Sequence, residues 1–120
     1  MRWDVLFHEE FEAEFNKLSE AVQDELLAYA KLLEASGPSL RRPHADTLKG
    51  SRHANMKELR FKLGDGVWRI AFAFDPKRQA ILLVAGNKAG VNEKRFYKQL
   101  IRKADQRFED HLNELKTTGA

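Results

Sequence analysis

At 120 residues, 42% of them hydrophobic, the chain has length for one domain around one core and not for two. It contains no cysteine, which excludes disulfides and thiolate metal sites and agrees with a reducing cytosol. The 21 Lys and Arg against 18 Asp and Glu leave a net charge of +3, compatible with nucleic-acid binding without establishing it. The distribution is more telling. Residues 9–34 are acid-rich at their polar positions, while residues 39–103 hold most of the Lys and Arg, so one side is expected to be basic. Met1-Arg2-Trp3-Asp4 is charged and no apolar run follows it, so no signal peptide is expected. No apolar run approaches bilayer length, and no membrane partner is expected.

Residues 2–7 read as a short first strand with Trp3, Val5 and Phe7 on one side. From His8 to Leu18 the spacing of Phe11, Phe15 and Leu18 predicts a short helix. Ser19 is suited to capping a second helix, with Glu20 and Asp24 near its positive end and Val22, Leu26, Ala30 and Leu33 on the buried stripe. Ser36-Gly37-Pro38 stops it. Residues 37–54 read as loop, long enough to suggest a function.

Three strands are predicted at 55–63, 66–75 and 79–87. Gly64-Asp65-Gly66 folds the first two into a hairpin by supplying positive φ. Asp75-Pro76-Lys77-Arg78 is a type I turn signal leading to the third. Ala80 to Ala85 is apolar on both faces, which predicts a central or doubly covered strand. Asn92 is suited to capping a last helix that buries Phe96, Leu100, Ala104, Phe108 and Leu112. The expected fold is α+β in the order β-α-α-β-β-β-α: a small, mostly antiparallel sheet, an N-terminal helical hairpin and a C-terminal helix, with the helices on one face. A single domain over residues 1–116 is expected, with 117–120 a frayed tail.

Strand parity selects the candidate chemistry. If Leu59, Phe61 and Leu63 face the helices, Lys57 lies on their side near the strand end. Met56, Glu58, Arg60 and Lys62 then face outward, as do Arg69, Ala71 and Ala73 on the next strand. Lys88 follows the third strand in a Gly86 to Gly90 loop. Arg60, Arg69 and Lys88 thus converge from separate segments, with Lys57 or Lys62 at the rim. Converging cations hold a phosphodiester and stabilise the added charge of its transition state. RNA brings its own nucleophile, the 2′-hydroxyl, so cleavage by this route needs in-line geometry, charge stabilisation and proton transfer. Lys and Arg are poor bases at neutral pH; His44, His53 and Tyr97 are the acid–base candidates. The plainer reading is also open: Arg60 and Glu58 as a surface ion pair with Arg69 across the strand. His44 and His53 lack metal spacing, and no Gly-rich phosphate loop follows a strand, so no metal and no cofactor are expected. Trp68 and Phe96 read as packing residues.

The ordered set Leu48-Lys49-Gly50, Lys57-Glu58-Leu59-Arg60, Gly66-x-x-Arg69-Ile70-x-Phe72, an apolar strand, Lys88 and a helix with an aromatic near its start covers nearly the whole chain. It resembles toxins of the RelE/ParE superfamily, especially the HigB-like branch. The resemblance implies the toxin of a type II toxin–antitoxin module, a ribosome-dependent mRNA endoribonuclease that acts in the cytoplasm without metal. It carries catalytic roles to Arg60, Arg69 and Lys88. Lys57 and Lys62, with Lys49, Arg52 and His53 of the preceding loop, are the candidate RNA-binding positions. Tyr97 falls near a catalytic aromatic of some members. The implied partners are the ribosome with its mRNA and a cognate antitoxin of helix-turn-helix type, with operator DNA reached only through that antitoxin. Residues 85–90 lack the second basic residue or His-Tyr pair of many relatives, which leaves the acid–base pair unassigned. Two alternatives stay open: a ParE-like gyrase poison, and a non-catalytic nucleic-acid- or protein-binding module of the same fold.

Overall fold

The computed structural model describes residues 2–118. Its elements are β1 (Asp4–Phe7), α1 (Glu9–Phe15), α2 (Glu20–Ser36), β2 (Ala45–Thr47), β3 (Met56–Leu63), β4 (Gly66–Phe74), β5 (Gln79–Asn87) and α3 (Glu93–Thr118). The strands form one sheet in the order β1-β5-β4-β3-β2. Only β1 and β5 run parallel; the other pairs are antiparallel.

The local signals act as expected. Ser19 Oγ accepts from the Val22 amide at 3.3 Å, and α2 buries Val22, Leu26, Ala30 and Leu33. Asn92 Oδ1 accepts from the Arg95 amide at 2.9 Å and caps α3. Leu63 pairs with Gly66 around a two-residue turn in which Gly64 takes φ 56°. Two expectations about boundaries change. Residues 37–54 are not all loop: a short 3-10 turn occupies Gly37–Ser39, and β2 pairs with β3 from Ala45 to Thr47. The three-residue strand is too short to show a period. At the other end α3 continues through Thr117 and Thr118, two residues of the expected tail; Gly119 and Ala120, the rest of it, lie outside the described residues.

The larger difference is the placement of α3. Leu59, Phe61, Ile70, Phe72, Ala80 and Leu82 pack with Phe11, Val22, Leu26 and Leu33 on one face of the sheet. Met56, Ala71, Ala73, Ile81, Leu83 and Val84 pack with Phe96, Leu100, Ala104 and Phe108 on the other. The helices therefore cover both faces. Small Ala71 and Ala73 do not leave an open concavity; they make room for α3. Burial of those apolar side chains contributes about 25 cal/mol per Å² removed from water, far more than an open basic face would return. Arg107 ties α3 to α1: its guanidinium donates to the Leu83 carbonyl at 2.8 Å and to Glu14 Oε1 at 2.9 Å, and lies 3.2 Å from Glu10.

Candidate functional site

The hairpin register brings Arg60 opposite Arg69 and Glu58 opposite Ala71, all on the α3 face. On the far side of β4, Arg69 pairs with Gly86. A Cβ at Gly86 would lie 2.7 Å from the Phe96 ring, so the missing side chain lets the start of α3 settle onto the sheet. Tyr97 then reaches Arg69: the Arg69 Nε donates to the Tyr97 hydroxyl at 3.1 Å, and Nη1 donates to the Trp68 carbonyl at 2.9 Å.

This changes the expected role of Arg69. It is 5% exposed, closed in by α3, and is not a guanidinium presented on an open sheet face. Arg60 stays half-buried and accessible. Between them sits Glu58, 3% exposed, accepting from Arg60 Nη1 at 2.8 Å through Oε2 while Oε1 lies 3.9 Å from Arg69 Nε. The Glu58–Arg60 contact is not a surface ion pair: its carboxylate is the charge that lets Arg69 be buried beside Arg60. Oε1 makes no hydrogen bond of ordinary geometry, while the Tyr97 hydroxyl lies close enough for the carboxylate to hold its proton more firmly.

Above this trio lies a cleft of about 430 Å³ lined by Arg42, Lys49, Glu58, Arg60, Lys88 and Tyr97, together with Asp46, Thr47, Leu48 and Glu93. Lys88 is fixed at its backbone, where its amide donates to the Val67 carbonyl at 2.8 Å. Its Nζ donates to Glu93 at 2.5 Å and lies 5.7 Å from the Tyr97 ring centre. Arg42 Nε donates to Asp46 at 2.8 Å. Three of the cleft's cations thus have carboxylate partners, of which Glu93 is the loosest held, with a side chain 69% exposed. Burial pushes the Tyr97 phenol above its ordinary value, the Glu58 charge adds to this, and the bond from Arg69 opposes it. The phenol is therefore protonated at neutral pH. The Arg42 hydrogen bond first, then the Thr47 amide, lowers the Asp46 carboxyl, and the Lys88 hydrogen bond lowers Glu93.

Among the sequence candidates, Lys49, Arg60, Lys88 and Tyr97 come together here. Lys57 lines up with Phe72, on the α2 face of the sheet, and does not line the cleft. Lys62 is exposed and lines an adjoining groove with Tyr29 and Arg42. Arg52 and His53 do not join the cleft. Arg52 pairs with Asp105 and Glu109 of α3, and His53 packs edge-on against Phe108. The Ser51 hydroxyl and Arg52 amide are both bonded to Asp105, which turns this loop toward the middle of α3. His44 lies beside Tyr29, at 5.7 Å between ring centres. Sequence reasoning missed Glu58 and Arg42 as members. Parity already put Glu58 on the side of Arg60, but its burial depends on α3; Arg42 carries no local signal. No group of three or more His, Asp or Glu side chains suited to a metal forms among the described residues.

A five-stranded, mostly antiparallel sheet with an N-terminal helical hairpin and a C-terminal helix is the fold of solved RelE chains. The archaeal RelE–RelB complex from Pyrococcus horikoshii OT3 contains a chain that superposes with a TM-score of 0.55 at 20% identity, over 76% of this chain and 100% of that one. A mutant of the Escherichia coli toxin RelE in the free state superposes at 0.59 with 16% identity, over 86% and 97%. At such identities the likeness is one of fold. The family model described as "Phage derived protein Gp49-like (DUF891)" matches residues 13–109, and the chain belongs to that family. Two Mycobacterium tuberculosis (strain ATCC 25618 / H37Rv) proteins are similar in sequence. One, named as toxin HigB2, is 45% identical over 111 residues, 92% of this chain and 55% of that protein. The other, named as toxin HigB3, is 56% identical over 81 residues, 68% of each. The chain thus spans about half the length of HigB2. The HigB-like branch expected from the sequence is the branch these relatives bear in their names, and a ParE-like reading is not favoured.

Proposed function

We propose that the chain is the toxin of a toxin–antitoxin module and acts as an endoribonuclease on mRNA held in the ribosome. The single observation that carries this reading is the cleft itself: Arg60, Lys88, Lys49 and Arg42 around Glu58 and a protonated Tyr97. The relatives named as HigB toxins agree with it.

In this mechanism Arg60 and Lys88 hold the scissile phosphodiester, with Lys88 exchanging Glu93 for the phosphate. The 2′-hydroxyl attacks phosphorus and its proton passes to the Glu58 carboxylate, which lines the cleft. The bond from phosphorus to the 5′-oxygen breaks, and Tyr97 gives that oxygen its proton. The products are a 2′,3′-cyclic phosphate and a 5′-hydroxyl; the proton gained by Glu58 returns to the Tyr97 oxygen. Arg69 Nε donates to the Tyr97 oxygen, so the phenol keeps its own hydrogen to donate; Glu58 draws on that hydrogen before substrate binds, and the leaving oxygen takes it in the reaction. Arg69 acts through Tyr97 and Glu58 as a positioning residue. The Glu58 carboxylate is already held by Arg60, so proton transfer to it depends on alignment of the substrate by a larger assembly, which is the role of the ribosome here. The antitoxin, of helix-turn-helix type, covers this basic face and carries the complex to operator DNA. On this reading the protein works where messages are translated, in the cytoplasm.

Primer extension on a message in a translating extract tests the reading. The wild-type chain cuts within the open reading frame and Arg60→Ala does not; an intact message with wild-type protein ends the proposal. Arg69→Ala is the poorer test, because it strips a buried carboxylate of a partner and lowers stability as well.

A further inference from the structure

Beside the cleft, and sharing Arg42 and Arg60 with it, lies a second groove of about 420 Å³ lined by Tyr29, Arg42, Pro43, Arg60, Phe61, Lys62 and Arg69. Its composition differs from that of the cleft. Four of its seven residues are cations and none is a carboxylate, whereas the cleft sets Arg42, Lys49, Arg60 and Lys88 against Asp46, Glu58 and Glu93. Carboxylates still stand behind three of these cations, Asp46 behind Arg42 and Glu58 behind Arg60 and Arg69, which leaves Lys62 as the one without such a partner among the described residues. Its floor is aromatic: Tyr29 and Phe61 lie with ring centres 5.1 Å apart, and Pro43 closes one side. The Tyr29 hydroxyl makes no hydrogen bond to a described residue, and burial holds its proton on more firmly than usual. The Arg42 side chain is 66% exposed and free to swing from Asp46 over the ring.

A lysine without a carboxylate partner among the described residues, and arginines whose carboxylates a ligand anion can replace, set around an apolar, ring-lined floor, match one ligand chemistry: a nucleobase with its attached phosphate on a single strand. A partner's carboxylate would satisfy Lys62 but would leave the rings unused; an apolar side chain would fill the floor but leave Lys62 and the exposed Arg42 without a ligand anion. We propose that this groove is a subsite for the nucleotide next beyond the two that share the scissile phosphate, its base stacked on Tyr29 beneath Arg42 and its phosphate held by Lys62 and Arg60. The inference rests on the endoribonuclease reading, since Arg60 then touches two consecutive phosphates, and it adds a specificity determinant that the cleft lacks.

The test uses 2′-O-methyl oligoribonucleotides, which cannot be cut because the nucleophile is blocked. Fluorescein-labelled dimers and pentamers are titrated with the purified chain and read by anisotropy at several salt concentrations. Wild type is expected to bind the pentamer at least about fivefold more tightly than the dimer, the lower end of what stacking one base contributes. Tyr29→Ala should lose that gain while Tyr29→Phe keeps it, because the ring and not the hydroxyl carries the contact. Lys62→Ala, at an exposed position whose loss leaves the fold intact, should reduce the slope of log affinity against log salt by about 0.7. A length gain that survives in Tyr29→Ala overturns the proposal. So does an unchanged salt slope in Lys62→Ala, which also decides the case if Tyr29→Ala does not fold. Loss of binding of an acidic peptide in Tyr29→Ala, with oligonucleotide binding unchanged, would make the groove a protein-docking site and overturn it as well. Message cut normally in a translating extract by a Tyr29→Ala chain that binds like wild type removes the subsite and leaves the endoribonuclease reading intact. Message left whole by the wild-type chain removes that reading instead.

Discussion

Replacing Glu58 by alanine tests the charge arrangement at its centre. The carboxylate is 3% exposed, 2.8 Å from the Arg60 guanidinium and 3.9 Å from that of Arg69. At an effective dielectric of about 20, an ion pair at the longer distance is worth roughly 4 kcal/mol before desolvation is charged against it. Desolvating the carboxylate cancels much of that gain, so the pair is worth little compared with an apolar pair of the same shape. Removing one member is different. Arg60, half-buried, can turn to solvent, but the Arg69 side chain is 6% exposed and cannot. Glu58→Ala should therefore cost about 3–5 kcal/mol, the usual penalty for an uncompensated buried charge. With a urea m-value of about 1–3 kcal/mol/M, that moves the unfolding midpoint down by roughly 2 M. The double variant Glu58→Ala/Arg69→Met should recover most of the loss, since it removes the stranded charge and keeps the volume of the arginine stem. A loss under about 1 kcal/mol in the single variant would refute the argument, because Arg69 would then not depend on Glu58. A double variant as unstable as the single one would refute it too, assigning the loss to the cavity and not to the charge.

Tyr97→Phe should fold normally and lower single-turnover cleavage by about 10²–10⁴-fold if the phenol is the general acid; an unchanged rate would exclude that role. The raised Tyr97 pKa also sets a sign: its contribution to stability is complete below pH 10 and is lost as pH rises through the folded value, so the wild-type urea midpoint should fall above pH 10 more steeply than that of Tyr97→Phe. At the acid end, the Arg107 hydrogen bond holds the Glu14 carboxyl below its ordinary 4.5, so this contribution is present above pH 4.5 and lost as pH falls through the lowered value; Arg107→Met should flatten that limb of the urea-midpoint profile. Glu93→Gln releases Lys88 from an exposed partner, so the thermal midpoint should be unchanged while the affinity for a non-cleavable oligoribonucleotide rises; weaker binding would show that Glu93 positions Lys88 and does not compete for it.

Most of the frame was legible because its signals are local. The α2 stripe of Val22, Leu26, Ala30 and Leu33, the Ser19 and Asn92 caps, the Gly64 turn and the β3–β4 register that faces Arg60 with Arg69 each depend on residues close in sequence. Strand β2 was hidden because three residues carry no period. Arg52 and His53 could not be placed, because the Ser51 and Arg52 contacts with Asp105 span more than fifty positions.

The chain's own order of residues determined which side chains share a sheet face, since alternation along a strand has a period of two whatever covers it. It did not determine whether that face stays wet. Only the tertiary fold decided this: apolar Phe96, Leu100, Ala104 and Phe108 seek the surface that Ala71, Ala73 and Gly86 leave low, and in docking there they bury Arg69 with Glu58 and leave Arg60, Lys88 and Tyr97 around an open cleft. Helix docking is a contest between distant apolar surfaces, and no short stretch of sequence records its outcome.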